Sequence, residues 1–413
     1  MNRNSYWLKN VRIEVGFERE DNRLKTLTEM VHLKVVEGKI AAISKEQPKD
    51  NLPEKDAKGL LLLPSLKEMH IHIDKTYYGG PWKACTPITN GIFTRIEEEK
   101  KLLPQQLATA QERAEKVIEL YLKHGHSHIR THCNIDPSIG LKNLEATLNA
   151  VNKYKDEMTF EIVAFPQHGL LRSEVAPLVK EAMEMGATHV GGVDPATIDR
   201  NIEKSLDTIF DIAVQSGSSV DVHIHDPNSL GAFTFERMAH YTKQAGLQGR
   251  TTISHAIALG DLETIQLEET VKMLVDNKID VTTTVPINRP TIPIPLLTQM
   301  GLIVSLGHDS ITDHWSPFGT ANTIEKMCVL AERFRLVDEK SLSSLVQYGT
   351  GGINSLSAAG ERQWPKIGND ASMILVDASC SAEAVARRTD VKALFYKGKE
   401  VNRLGMEKQS IAK

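Results

Sequence analysis

Two histidines one residue apart, His70 and His72, follow the apolar run Leu61-Leu62-Leu63-Pro64. In extended backbone, side chains two apart point the same way, so both imidazoles project together while Ile71 and Ile73 pack behind. Two neutral imidazoles make half of a divalent-metal site. An isolated His-x-His pair reads as well as two hydrogen-bonded residues at a strand end. The rest of the chain shifts that balance. Polar groups recur where apolar runs stop: Thr131 and His132, Gln167 and His168, Asp194, then His223, His225 and Asp226, and finally His255, Asn288, His308 and Asp309. Core strands have no packing reason to finish in His and Asp so regularly.

Eight apolar runs are strand candidates: Leu61–His72, Ser127–Cys133, Phe160–Phe165, His189–Val193, Ser219–His225, Thr251–His255, Ile279–Val285 and Ile303–Gly307. Helical patterns such as Gln105–His124, Ile202–Ser216 and Thr234–Ala245 separate most of them. This alternation predicts an α/β fold, a (β/α)8 TIM barrel over residues 63–361, with chemistry at the C-terminal ends of its strands. Both ends of the chain instead alternate apolar and polar residues in short runs, with a hairpin centred on Gly38. Residues 1–62 and 362–413 are therefore expected to build one small β-sandwich-like domain. The charged run Glu97 to Lys101 reads as a solvated helix face. His124, His126 and His128 look metal-like alone, but a helix-to-strand turn puts them on the barrel's bottom face, where they serve stability.

A net charge of -4 leaves no basic surplus to neutralise phosphates, which argues against a nucleic-acid partner. No run reaches the roughly 18 apolar residues that span a bilayer, and the N-terminus has no signal-peptide core. The cysteines Cys85, Cys133, Cys328 and Cys380 are scattered, as suits a reducing cytoplasm. Cys133, next to His132, reads as a core thiol in preference to a ligand. Nothing in the sequence decides between a monomer and a homo-oligomer.

Taken in order, His70-Ile71-His72-Ile73-Asp74-Lys75, Ile129-Arg130-Thr131-His132, Phe165-Pro166-Gln167-His168, Asp221-Val222-His223-Ile224-His225-Asp226, Ser254-His255 and Gly307-His308-Asp309-Ser310 resemble the amidohydrolase superfamily. The resemblance covers nearly the whole chain and is to the cytosine deaminase-like branch. It implies one divalent metal, Zn or alternatively Fe, held by His70, His72, His223 and Asp309. The binuclear branch needs a lysine at the end of strand four, and this chain has Val193-Asp194 there. Bound metal lowers the pKa of water towards about 7. The resemblance makes Asp309 and His255 catalytic, carrying protons and stabilising charge during attack on a ring carbon.

Three departures bear on substrate. Asp226 stands where cytosine deaminases have glutamate; it either carries protons from a shorter reach or caps the following helix. Ser310 replaces a second aspartate. Lys75 after Asp74 is similar to the N-isopropylammelide isopropylaminohydrolases, relatives acting on s-triazine rings. That likeness implies substrate contacts by Lys75, Gln167 and Trp315, with Asp194 and Ser310 completing the pocket. The expected function is hydrolysis of a non-peptide C–N bond, deaminating or dealkylaminating a small nitrogen heterocycle. A cyclic-amide hydrolase of dihydropyrimidinase type and a non-catalytic metal-stabilised binding scaffold are the alternatives.

Overall fold

Strands that are parallel and covered on both faces must be apolar throughout, with helices linking them. The computed structural model describes residues 5–287 and 291–401, and eight strands among them form one such sheet. They are Leu66–Ile71, His126–Asn134, Thr159–Phe165, His189–Val193, Ser219–His223, Thr251–Ser254, Ile279–Thr283 and Val304–Leu306. Each neighbours the next in sequence order, and a parallel bridge between Ile71 and Asp309 brings the last back to the first. The fold is a nearly closed (β/α)8 barrel. Asn288, a sequence-level strand-end candidate, lies outside the described residues.

The fourth strand, His189–Val193, shows how tightly the barrel is filled. A Cβ on Gly191 would come within 2.6 Å of the Ala164 carbonyl oxygen, and one on Gly192 within 2.6 Å of Ile209 Cδ1. The helix Ile202–Ser216 that follows is capped as its sequence demands. The Asn201 side chain accepts from Lys204 N–H, and Gly217 ends the helix in the left-handed conformation. The helix after the first strand differs from expectation. It runs from Gly91 to Lys123 and passes through Pro104, where a proline-based reading starts a helix at Gln105. Burial of Ile96 and Leu103, both without exposed surface, holds the extra turns in place.

Contacts divide the described chain into two units. One holds residues 68–118, 129–287 and 291–321, the barrel; the other holds residues 5–67, 119–128 and 322–401. The helices Thr323–Phe334, Glu339–Ser344 and Gln347–Thr350, which the strand–helix alternation assigns to the barrel segment, cluster with the terminal sheet. That sheet runs, edge to edge, through Lys399–Glu400, Val391–Tyr396, Met373–Val376, Leu61–Pro64, Ser5–Glu20, Arg23–Val36 and Lys39–Ser44. It curls over Leu8, Val11, Ile13, Leu33, Met373 and Phe395. The hairpin at Gly38 turns through two residues of positive φ, Glu37 (50°) and Gly38 (78°), as a type I′ turn requires.

Leu61–His72 is two strands, not one. Leu61–Pro64 pairs antiparallel with Met373–Val376 in the terminal sheet, and only Leu66–Ile71 enters the barrel. The break comes at Ser65, after a proline that has no N–H to donate; there the Ser65 hydroxyl meets the Ser127 hydroxyl at 2.6 Å. His126 is structural: its ring nitrogens reach the Tyr121 carbonyl (3.1 Å) and the Thr323 hydroxyl (2.8 Å).

Gly307 follows the eighth strand where the first strand crosses close by. A Cβ there would lie 2.6 Å from His70 Cβ and 2.9 Å from Glu68 Oε1. Gly307→Ala is therefore expected to cost about 1–3 kcal/mol by overpacking. Urea unfolding should show a lower midpoint with an unchanged slope; an unaltered midpoint would refute the close approach.

Candidate active site

The histidines that end the strands converge. One ligand atom from each of His70, His223, His255 and Asp309 lies within 4.8 Å of all the others. Asp309 Oδ1 is 3.3 Å from His70 Nε2 and 3.5 Å from His72 Nε2. His70, His72, His223 and Asp309, the expected ligands, thus gather around one carboxylate, and His255 stands inside the same cluster. Two of the strand ends turn in an uncommon way to achieve this. His255 (φ 69°) and Asp309 (φ 63°) are left-handed although neither is glycine, as is Asp194 (φ 37°) after the fourth strand.

Electrostatics prepare these groups for ligation. Burial drives His72 down to about 3, with the Lys75 charge adding to the effect. Burial and neighbouring imidazoles likewise hold His223 well below the usual histidine range. The His72 and His223 rings are thus held neutral, with lone pairs to offer. Burial alone would raise Asp309, but His255, His70 and His72 together hold it well below the usual carboxylate range. Among the described residues, neither ring nitrogen of His223 has a hydrogen-bond partner, nor does Nε2 of His255. Buried polar atoms are rarely left so, since each costs free energy. A divalent cation bound by imidazole nitrogens and a carboxylate oxygen resolves that cost, and the donor set suits zinc or ferrous iron.

Behind the cluster a polar chain crosses the barrel interior. His70 Nδ1 lies 2.9 Å from the Ser254 hydroxyl, which donates its proton to Asp221 Oδ1 at 2.5 Å. Ser254 must then accept from His70 Nδ1–H, and this tautomer leaves the Nε2 lone pair facing Asp309. Arg130 anchors the far end, with Nη1 on Asp221 (3.0 Å) and Thr252 (2.9 Å) and Nε on Glu161 (2.7 Å). His132 is fully buried, its ring 4.1 Å from that of His70, and neither of its nitrogens has a hydrogen-bond partner among the described residues. The sequence reading noted His132 at its strand end and gave it no role.

The expected substrate contacts form a second group around a residue the sequence reading assigned to solvent. Glu99 has no exposed surface, whereas Glu97 is exposed. The charged run is therefore not a uniformly solvated face. Ile92, Ile96, Glu99 and Leu103 are spaced four, three and four apart, the period of a buried helix stripe, and Glu99 lies on it. Lys75 Nζ reaches Glu99 Oε1 (3.3 Å), Asn134 Oδ1 (3.3 Å) and Gln167 Oε1 (2.9 Å), and sits 5.5 Å over the Trp315 ring. Burial opposes charge on Lys75, but Glu99 and Asp74 more than offset it and its pKa is raised. Asn134 and His314 join this group without having been singled out by sequence.

Asp194 is engaged differently from a pocket wall. Its carboxylate accepts from His225 Nδ1 (2.9 Å) and from the His225 (2.5 Å) and Asp226 (3.3 Å) backbone N–H groups. The His225 ring in turn lies 4.2 Å from that of His255. Asp226 accepts from the Thr197 hydroxyl, and burial and Asp194 raise its pKa. The Ser310 N–H donates to the His308 carbonyl at 2.7 Å. Among the described residues, neither the Asp226 nor the Ser310 side chain hydrogen-bonds a member of the histidine cluster. Cys133 is a buried thiol 3.6 Å from the Thr147 hydroxyl.

If Ser254 fixes the His70 tautomer, Ser254→Ala should weaken metal binding about 10- to 100-fold while the fold persists. Competition with a chromogenic chelator measures this; unchanged affinity would mean the hydroxyl only packs.

Comparisons with known proteins agree with this geometry. Residues 54–401 match the amidohydrolase family. Over 401 residues the chain is 43% identical to the uncharacterized protein YahJ of Escherichia coli (strain K12), covering 96% of this chain and 87% of that one. Over 296 residues it is 32% identical to the N-isopropylammelide isopropyl amidohydrolase of Pseudomonas sp. (strain ADP), covering 70% and 73% respectively. The crystal structure of N-isopropylammelide isopropylaminohydrolase from Burkholderia multivorans superposes with a TM-score of 0.85 at 27% identity, covering 96% of this chain and 98% of that one. The chain belongs to the amidohydrolase family and is a hydrolase of carbon–nitrogen bonds other than peptide bonds.

Proposed function

We propose that this enzyme removes ammonia or an alkylamine from a small nitrogen heterocycle, using one divalent metal held by His70, His72, His223 and Asp309. The observation that carries the reading is the convergence of buried, neutral, unpartnered imidazole nitrogens on one ionised carboxylate. A divalent cation bound there supplies Lewis acidity and makes a hydrolytic water acidic enough to ionise near neutral pH. The protein's own groups handle the rest. Asp309 Oδ1 accepts the proton of the attacking water as its oxygen bonds to the ring carbon. His255 Nε2, neutral and close to Asp309, takes that proton from the Asp309 carboxyl group and delivers it to the departing nitrogen as the C–N bond breaks, returning to its neutral form. Burial and the Asp194 charge raise the pKa of Asp226, which supports a proton-carrying part, but its bond to Thr197 supports a positioning part at least as well.

A small nitrogen-heterocycle substrate is supported by two relatives of this chain that are named as hydrolases of N-isopropylammelide. Zinc fits the donor set as well as iron does. The Val193-Asp194 end of the fourth strand, without lysine, supports a single ion. Free cysteines support a reducing, cytoplasmic setting.

Metal-replete protein should release ammonia or alkylamine from at least one member of a panel of aminated triazines and pyrimidines. Silence across the panel with metal bound would sink the reading. Asp309→Ala should lose both the ion, about one per chain in the parent protein, and turnover. His255→Asn should keep the ion and lose about 10²- to 10⁴-fold in kcat. Elemental analysis beside the kinetics separates the two.

A further inference from the structure

Where the barrel closes, its first and last strands form no ladder. Leu66–Ile71 and Val304–Leu306 are the two ends of the sheet, joined among the described residues by the bridge of Ile71 to Asp309. That bridge has the slanted parallel pattern. Asp309 N–H donates to the His70 carbonyl (2.7 Å), and His72 N–H donates to the Asp309 carbonyl (3.1 Å). One step further back, the same pattern would send His70 N–H to the Gly307 carbonyl. It goes instead to the side chain of Glu68, meeting Oε1 at 2.8 Å.

Glu68 stands two residues before His70 on the same face of the strand, and it has no exposed surface. Its Oε1 accepts a second N–H, from the His308 backbone at 3.1 Å, and its Oε2 lies 2.5 Å from His308 Nδ1. A carboxylate only accepts, so Nδ1 is the ring nitrogen that carries the shared proton. Among the described residues no lysine or arginine pairs with Glu68; its ion-pair partner is His308. Gly307 makes room for the group, since a Cβ there would lie 2.9 Å from Oε1. One side chain thus stands in for the missing ladder. It ties the backbone of His70 to the residue directly before Asp309.

We propose that Glu68 and His308 are positioning residues that set the separation between His70 and His72 on one strand and Asp309 after another. The inference rests on the single-metal reading and adds to it two residues that supply no ligand atom. Bonds to a metal tolerate errors of only about 0.2 Å, so the spacing across this seam decides whether both sides reach one ion. A lone bridge fixes that spacing less firmly than a ladder does. The buried carboxylate adds three bonds to it, all within one layer of the ligands.

Two titrations of the metal-free full chain test this. Zinc(II) is added in competition with a chromogenic chelator, and cobalt(II) is added alone, its visible bands reporting coordination geometry. Glu68→Met keeps the bulk but removes both acceptors. It should bind zinc about 10- to 100-fold more weakly and shift the cobalt bands. Glu68→Gln keeps one oxygen for the two backbone N–H groups and should recover most of that affinity. His308→Leu should also shift the bands, and His308→Asn, whose amide nitrogen can take the place of Nδ1, should restore them. A merely structural role would lower the urea midpoints and leave bands and affinity of the folded protein unchanged. Parent affinity and parent bands in Glu68→Met overturn the proposal, as does that result in His308→Leu if Glu68→Met does not fold. Equal losses in Glu68→Met and Glu68→Gln overturn it too. A parent protein that takes up neither ion ends the metal reading and this inference with it. Metal bound alike by parent and variants ends the inference alone.

Discussion

Removing imidazole nitrogens from water without giving them partners is costly, and this chain does so repeatedly in one place. His70, His72, His223 and His255 are all buried around Asp309. Their cost is tolerable only if something else completes the group, and a divalent ion is what such donors accept. The surrounding architecture serves that arrangement. Barrel strands deliver the side chains, and left-handed turns at His255 and Asp309 aim two of them. The Ser254–Asp221–Arg130 chain keeps His70 in the tautomer that leaves its inner nitrogen unprotonated.

A second polar system lies against the first and follows the opposite rule. Around the histidine cluster, several buried nitrogens have no hydrogen-bond partner among the described residues; around Glu99, both carboxylate oxygens are fully bonded. The saturated carboxylate joins a helix to the segments after the first, second, third and eighth strands, through Lys75, Asn134, His168 and His314 with Trp315. Fully satisfied networks of this kind are rigid, because any rotation leaves a buried donor or acceptor alone. The wall therefore presents a fixed pattern to whatever binds, and the cluster beside it keeps its reactive atoms unspent.

Much of this was readable before any coordinates. Metal ligation admits few residue types, and a barrel places them at strand ends, so His70, His72, His223, His255 and Asp309 were legible as strand-end polar residues, while choosing them over His132, His168, His225 and His308 took the family likeness. Lys75, Gln167 and Trp315 emerged only through family likeness, since a lone lysine or amide carries no spacing signal. Glu99 was misread because its neighbours Glu97 and Lys100 are exposed and charged; its place on the Ile92–Ile96–Leu103 stripe was the overlooked clue. The division of Leu61–His72 at Ser65 was invisible for another reason. Apolar character continues across it, and only the pairing partners, Met373–Val376 on one side and the barrel on the other, reveal two sheets.

Asp309 does more than sit at the centre of the histidine cluster. Its backbone N–H donates to the His70 carbonyl (2.7 Å), its carbonyl accepts from His72 N–H (3.1 Å), and it bridges to Ile71. The residue around which the histidines gather is thus also the clasp that shuts the staves of the barrel. Pairing across roughly 240 residues of chain carries one of the largest loop-closure entropies in the molecule. A ribosome must extrude the chain past Asp309 before that seam can close. Until it does, the early histidines have no carboxylate to meet.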